Sequence, residues 1–129
     1  MNRSRSTKAR PRRKGRRVTF ETVCELGLAL PGVLEGTSYG TPALKVGGKL
    51  IARLREDGDT LAIRIDFHER EHLIEADPQT FYITDHYLNY PFVLVRLPII
   101  RTQRLRELLE GAWRRVAPKR LVAAFDVET

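Results

Sequence analysis

His68-Glu69-Arg70-Glu71-His72 is the most chemically loaded pentapeptide in the chain. On a helix, imidazoles at i and i+4 share one face and can hold a zinc ion, with the intervening glutamate as general base. Here both spacers, Arg70 and Glu71, are charged, and no third ligand stands out. The stretch therefore reads as a solvated helix face, and no metal or cofactor is expected. Asp85-His86 suggests acid–base work, yet neighbours in sequence rarely face each other and no nucleophile accompanies them. Cys24 is the single cysteine, so it makes no intramolecular disulfide and no Cys-x-x-Cys exists for zinc or redox work. It falls on an apolar helical stripe and reads as core. Gly48-Lys49 is followed by Leu50 and lacks the upstream glycine of a phosphate loop. No nucleophile, base and orienting partner can be connected, and no enzymatic activity is expected.

Charge points elsewhere. Of the 23 Lys and Arg, nine lie in residues 1–17 (Arg3, Arg5, Lys8, Arg10, Arg12, Arg13, Lys14, Arg16 and Arg17), with no acid among them. Residues 18–129 hold the other 14 against 16 Asp and Glu, so the formal charge of +7 belongs to the arm and the body carries −2. A block of like charges with almost no apolar side chains cannot bury enough surface to order itself. The arm is expected to be disordered, with Arg12, Arg13, Lys14, Arg16 and Arg17 as phosphate contacts. It has no apolar face for a transit helix, and Glu21 and Glu25 interrupt any signal core after Arg16-Arg17. No apolar run is long enough to span a membrane. A reducing cytoplasm is the expected location.

The elements that must position these residues follow from periodicity. Thr19 caps a helix carrying Phe20, Val23, Cys24, Gly27 and Leu30, which Pro31-Gly32 ends. Leu44 to Leu54 is a hairpin about Gly47-Gly48, and Asp57-Gly58 turns into a third strand through Leu61, Ile63 and Ile65. Phe67 to Ala76 is a short helix. Residues 80–84 and 92–97 are strands around the loop His86–Pro91. Leu105, Leu108, Leu109, Ala112, Trp113 and Val116 form one helical stripe. Pro118 breaks that helix, and Leu121–Phe125 adds a turn. The order α-β-β-β-α-β-β-α predicts an α+β fold, a mostly antiparallel five-stranded sheet with helices packed on one face.

If Leu44/Val46, Leu50/Ala52/Leu54, Leu61/Ile63/Ile65 and Val93/Val95/Leu97 face the helices, the two-residue period gives the other face Lys45, Lys49, Arg53, Arg64, Phe92 and Arg96. Interleaved basic and aromatic side chains hold phosphates and stack on bases, and Tyr39 and Tyr82 are candidates to join them. Thr60 and Asp66 dilute the patch, and a wet sheet face carries polar residues in any case. The leading expectation is non-enzymatic nucleic-acid binding, DNA first, of low sequence specificity. The alternative is a protein-interaction or small-ligand module using the Tyr/Gly/Pro-rich loops 35–42 and 85–91, with Tyr39, His86, Tyr87 and Tyr90 as its residues.

Three stretches, in order, carry a family resemblance: Gly36-Thr37-Ser38-Tyr39-Gly40-Thr41-Pro42 through Lys49, Thr84-Asp85-His86-Tyr87 on to Leu97, and Ala112-Trp113 through Leu121. Together they resemble the MmcQ/YjbR family, from about Val18 to Phe125. The resemblance implies a single domain over 18–129 with a frataxin-like or "double-wing" fold and a DNA-binding role, and no established catalytic residues. A frataxin-like shape also raises iron binding. The acids available on the first helix are only Glu21 and Glu25, so iron handling is not expected.

Overall fold

The alternating segments do pair, and they do so around two very tight turns. The computed structural model describes residues 17–128; the expected disorder of the arm, Arg17 aside, lies outside the described residues. The elements are α1 (Phe20–Leu28), β1 (Val33–Ser38), β2 (Thr41–Val46), β3 (Lys49–Leu54), β4 (Thr60–Arg64), α2 (Phe67–Ala76), β5 (Phe81–Tyr82), β6 (Phe92–Arg96), α3 (Thr102–Val116) and α4 (Lys119–Glu128), with a 3₁₀ turn at Asp85–Tyr87. The sheet order is β1-β2-β3-β4-β6-β5, every neighbour antiparallel. The α+β fold is as expected, with six strands rather than five.

The additional strand is β1, part of which reads as loop in the sequence. It is an edge strand with one neighbour, and Val33 is its one fully buried residue. A strand that wets nearly its whole length needs no apolar alternation, so the two-residue period is absent. It joins β2 through Tyr39-Gly40, with Ser38 opposite Thr41. Both turn residues have positive φ, 53° and 79°, the backbone of the primed turns that match strand twist. Gly47-Gly48 closes the next hairpin with φ of 57° and 78°, as the sequence predicts.

The core lies between the sheet and the helices. Leu105, Leu108, Leu109, Ala112 and Trp113 of α3 are buried against Leu44, Val46, Ile51, Leu61, Ile63 and Val95 of the sheet. In α1, a Cβ added at Gly27 would run into Leu44 Cδ1, so glycine lets this helix approach β2 closely. Trp113 is fully buried, donates its Nε1–H to Pro31 O at 2.8 Å, and meets the ring of Phe125 edge-on at 5.1 Å. That contact, with the Arg114–Asp126 ion pair at 2.6 Å, docks α4 on α3. The C-terminal turn expected at 121–125 is thereby a full ten-residue helix.

One register detail reassigns a face. Leu44 pairs with Ala52 but Lys45 with Leu50, leaving Ile51 as the extra residue of a bulge. Ile51 and Ala52 both enter the core. Leu50, expected to face the helices, instead turns to the open face beside Lys45. Lys49 pairs with core-facing Val46 at the turn and is carried off the open face.

Candidate nucleic-acid interface

The open face is built of rows running across the strands. One row is Gly36, Ala43, Arg53, Ala62, Leu94 and Tyr82; beside it run Leu34, Lys45 and Leu50, with Arg64 opposite Phe92. None of the strands β2, β3, β4 and β6 contains an Asp or Glu. The body's net −2 is therefore unevenly spread: Glu35 of β1, opposite core-facing Leu44, is the one strand acid among the described residues, and the four central strands present cations.

The tyrosine loops lie on this same face. Tyr87 is buried against Ala62 and Leu94, with Tyr82, Ile83 and Phe92 around them. His86 meets Tyr87 edge-on at 4.9 Å and tilts over Tyr90 at 5.9 Å. From the opposite side the β1–β2 turn raises Tyr39, 83% exposed, above Arg53. Tyr39, Leu50, Arg53, Ala62, His86, Tyr87, Tyr90 and Phe92 enclose a cavity of about 110 Å3. A second, of about 270 Å3, continues from it between Arg53, Arg55, Glu56 and Tyr87. The loop aromatics and one of the candidate sheet cations, Arg53, line one groove, with Lys45, Arg64 and Arg96 on the sheet outside it.

The arginines divide by how their donors are used. Arg53 is buried, donating from Nε to Ser38 O at 2.9 Å, from Nη1 to Tyr87 Oη at 3.3 Å and from Nη2 to Glu56 Oε2 at 2.6 Å. It braces both walls of the groove rather than offering a fork to a phosphate. Arg64 is half-buried over the Phe92 ring and donates Nε–H to Leu50 O at 2.7 Å; burial lowers its pKa. Arg96 is exposed, lies 4.0 Å over the Tyr82 ring, and donates to Gln79 O at 3.0 Å. Arg17 is exposed at the start of the described chain. Arg12, Arg13, Lys14 and Arg16 lie outside the described residues.

Two arginines that shape this face escape the sequence reading. Arg55 sits 5.6 Å over the Tyr87 ring, and its buried Nε–H finds no acceptor among the described residues. Its spacing, two residues from Arg53 and just past the end of β3, was the available signal. Arg70, a charged spacer of the His-Glu-x-x-His pentapeptide, is only 5% exposed. Its Nη1 donates to the carbonyls of Tyr87 (2.9 Å), Tyr90 (2.8 Å) and Phe92 (3.1 Å), and its Nη2 to Leu88 O at 3.1 Å. One guanidinium thus ties down the tyrosine loop, and nothing in local sequence marks it. His68 and His72 meet at 4.6 Å with their rings tilted on the exposed side of α2, and no group of three or more His, Cys, Asp or Glu is placed to hold a metal among the described residues. Cys24 is half-buried against the core; burial first, then Glu35 and Glu21, push its thiol pKa up. No helix of the described residues is long and apolar enough to cross a membrane.

These features define a small α+β protein with one wet, cationic and aromatic sheet face. The chain belongs to the YjbR family, whose family model matches residues 28–115. It is 42% identical over 69 residues to uncharacterized proteins of Mycobacterium bovis and Mycobacterium tuberculosis, covering 53% of this chain and 54% of theirs. The chain thus spans about half the length of the curated relatives it matches. The crystal structure of Deinococcus radiodurans protein DR2400, with family-model domain DUF419, superposes with a TM-score of 0.63 at 27% identity, covering 74% of this chain and 76% of that one.

Proposed function

We propose that this YjbR protein binds nucleic acid, with DNA the first substrate to try, through its open sheet face and its basic arm, without catalysis and with low sequence specificity. The observation that carries the reading is the placement of Lys45, Arg64 and Arg96 with Phe92 on strands that hold no acid, beside the groove lined by Tyr39, Arg55 and Tyr90. Cations along such a face neutralise phosphates and release counterions, while rings accept bases irrespective of sequence. The arm's nine cations add affinity of the same non-specific kind.

The test is charge reversal at cations that do not bridge the walls of the groove. Lys45→Glu with Arg96→Glu, folding verified by circular dichroism, is expected to weaken DNA binding by the full chain at least tenfold in fluorescence anisotropy. Parental affinity in that variant would refute the sheet face as the interface. A small-ligand reading is favoured by the apolar floor of the groove. It predicts binding nearly independent of salt, whereas phosphate contacts lose affinity steeply as salt rises.

A further inference from the structure

Resting on the nucleic-acid reading, we propose that the groove between Tyr39 and Tyr90 seats one unpaired nucleotide, its base among the rings and its phosphate toward Arg55. The two cavities share Tyr39, Arg53, His86 and Tyr87, so they are the two ends of one groove. The end floored by Leu50, Ala62 and Phe92 is apolar and aromatic, and at about 110 Å3 it admits a single planar group rather than a base pair. A duplex offers such rings only base edges, whereas an unpaired base offers its face.

The other end has one cation in need of an acceptor. Arg53 commits its donors to Ser38, Tyr87 and Glu56. Glu56, the one acid lining this end, is held ionised first by a backbone hydrogen bond and then by Arg53, with which it pairs at 2.6 Å. Arg55 remains: its guanidinium lines this end over the Tyr87 ring, its Nε–H is buried without an acceptor among the described residues, and a phosphate oxygen in the cavity would give the group a charged acceptor.

Tyr39 is the second, independent observation. It is the only non-glycine residue with positive φ among the described residues, in a position where Gly, Asn or Asp fits at lower cost. Its ring is nevertheless 83% exposed, and Tyr90 across the groove is 55% exposed. A strained turn that holds a large ring in water serves something that arrives from outside.

The experiment titrates the full chain against a labelled oligothymidylate and against a duplex of equal length, with thymidine monophosphate as competitor. The parent is expected to favour the single strand. Tyr39→Ala, Tyr90→Ala and Arg55→Gln are each expected to lose about tenfold in single-strand affinity, a larger loss than the same variant shows on the duplex. Displacement by the mononucleotide would assign the groove to nucleotides in general. Failure to displace, with the same variant losses, would assign it to nucleotides within a strand; both outcomes uphold the site. Equal parental affinity for strand and duplex with no loss in the three variants would overturn the groove and leave the charged face standing. No binding to either polymer at low salt would overturn both.

Discussion

Arg70 and Tyr39 carry opposite lessons at the scale of single residues. Arg70 holds four carbonyls of the tyrosine loop, and each charged hydrogen bond contributes about 1.5–3 kcal/mol. Arg70→Met leaves those carbonyls without their common donor, and is expected to destabilise the protein by about 3 kcal/mol. Urea unfolding measures that loss, and hydrogen exchange should show 84–91 opening ahead of the sheet. Unchanged exchange in the loop would mean that Tyr87, packed on Ala62 and Leu94, holds it alone. Tyr39 is the reverse case, a residue whose backbone costs stability. Tyr39→Asn relieves a φ of 53° and is expected to raise stability by up to about 1 kcal/mol while weakening nucleic-acid binding. A variant that loses both would show the ring to be structural. From the sequence, Tyr39 was visible as a candidate because it stands in a glycine-rich stretch. Arg70 was not, since a charged residue among Glu and His reads as solvated and its partners lie 17 to 22 residues away.

Elements were legible wherever a period had to be kept. The α3 stripe, the Gly47-Gly48 hairpin and β4 follow from apolar spacing because each buries a face along its length. The strand β1 was hidden because an edge strand buries little, and the Ile51 bulge because one extra residue shifts the period without altering composition. That shift is why Leu50 joins the groove and Lys49 leaves the face. The β3–β4 hairpin shows a turn held by one side chain. Asp57 Oδ1 accepts from the N–H groups of Asp59 and Thr60, both at 2.9 Å, and Oδ2 from the Thr60 hydroxyl at 2.7 Å. Its pKa is lowered by the Thr60 hydroxyl first and then by those backbone donors. A lowered native pKa means that the unfolded chain takes up the proton more readily, so this stabilisation is complete above the unfolded value near 4 and is lost as pH falls through the native one. Asp66, which accepts from Glu69 N at 2.7 Å at the start of α2, shifts the same way, through that bond first and then through Arg115. Asp57→Ala is expected to cost about 1 kcal/mol at neutral pH and to flatten the fall in melting temperature below about pH 4. An unchanged acid profile would show that other carboxylates set it.

At the scale of the molecule, net charge conceals the arrangement that matters. The body is formally −2, yet its four central strands hold no acid, and the arm holds nine cations with no acid. The two cationic features should be separable by salt. If about six arm charges engage duplex phosphates, the slope of log K against log salt is about −5 from the arm alone. A chain beginning at Val18, itself part of the core, should keep a shallower slope of its own. The most direct test of the central claim is therefore anisotropy of a labelled oligothymidylate with that shortened chain at low and high salt, beside its Lys45→Glu, Arg96→Glu variant. The account predicts saturable, salt-sensitive binding by the shortened chain and its loss in the variant. Binding confined to the full chain, or equal binding by the variant, would contradict it.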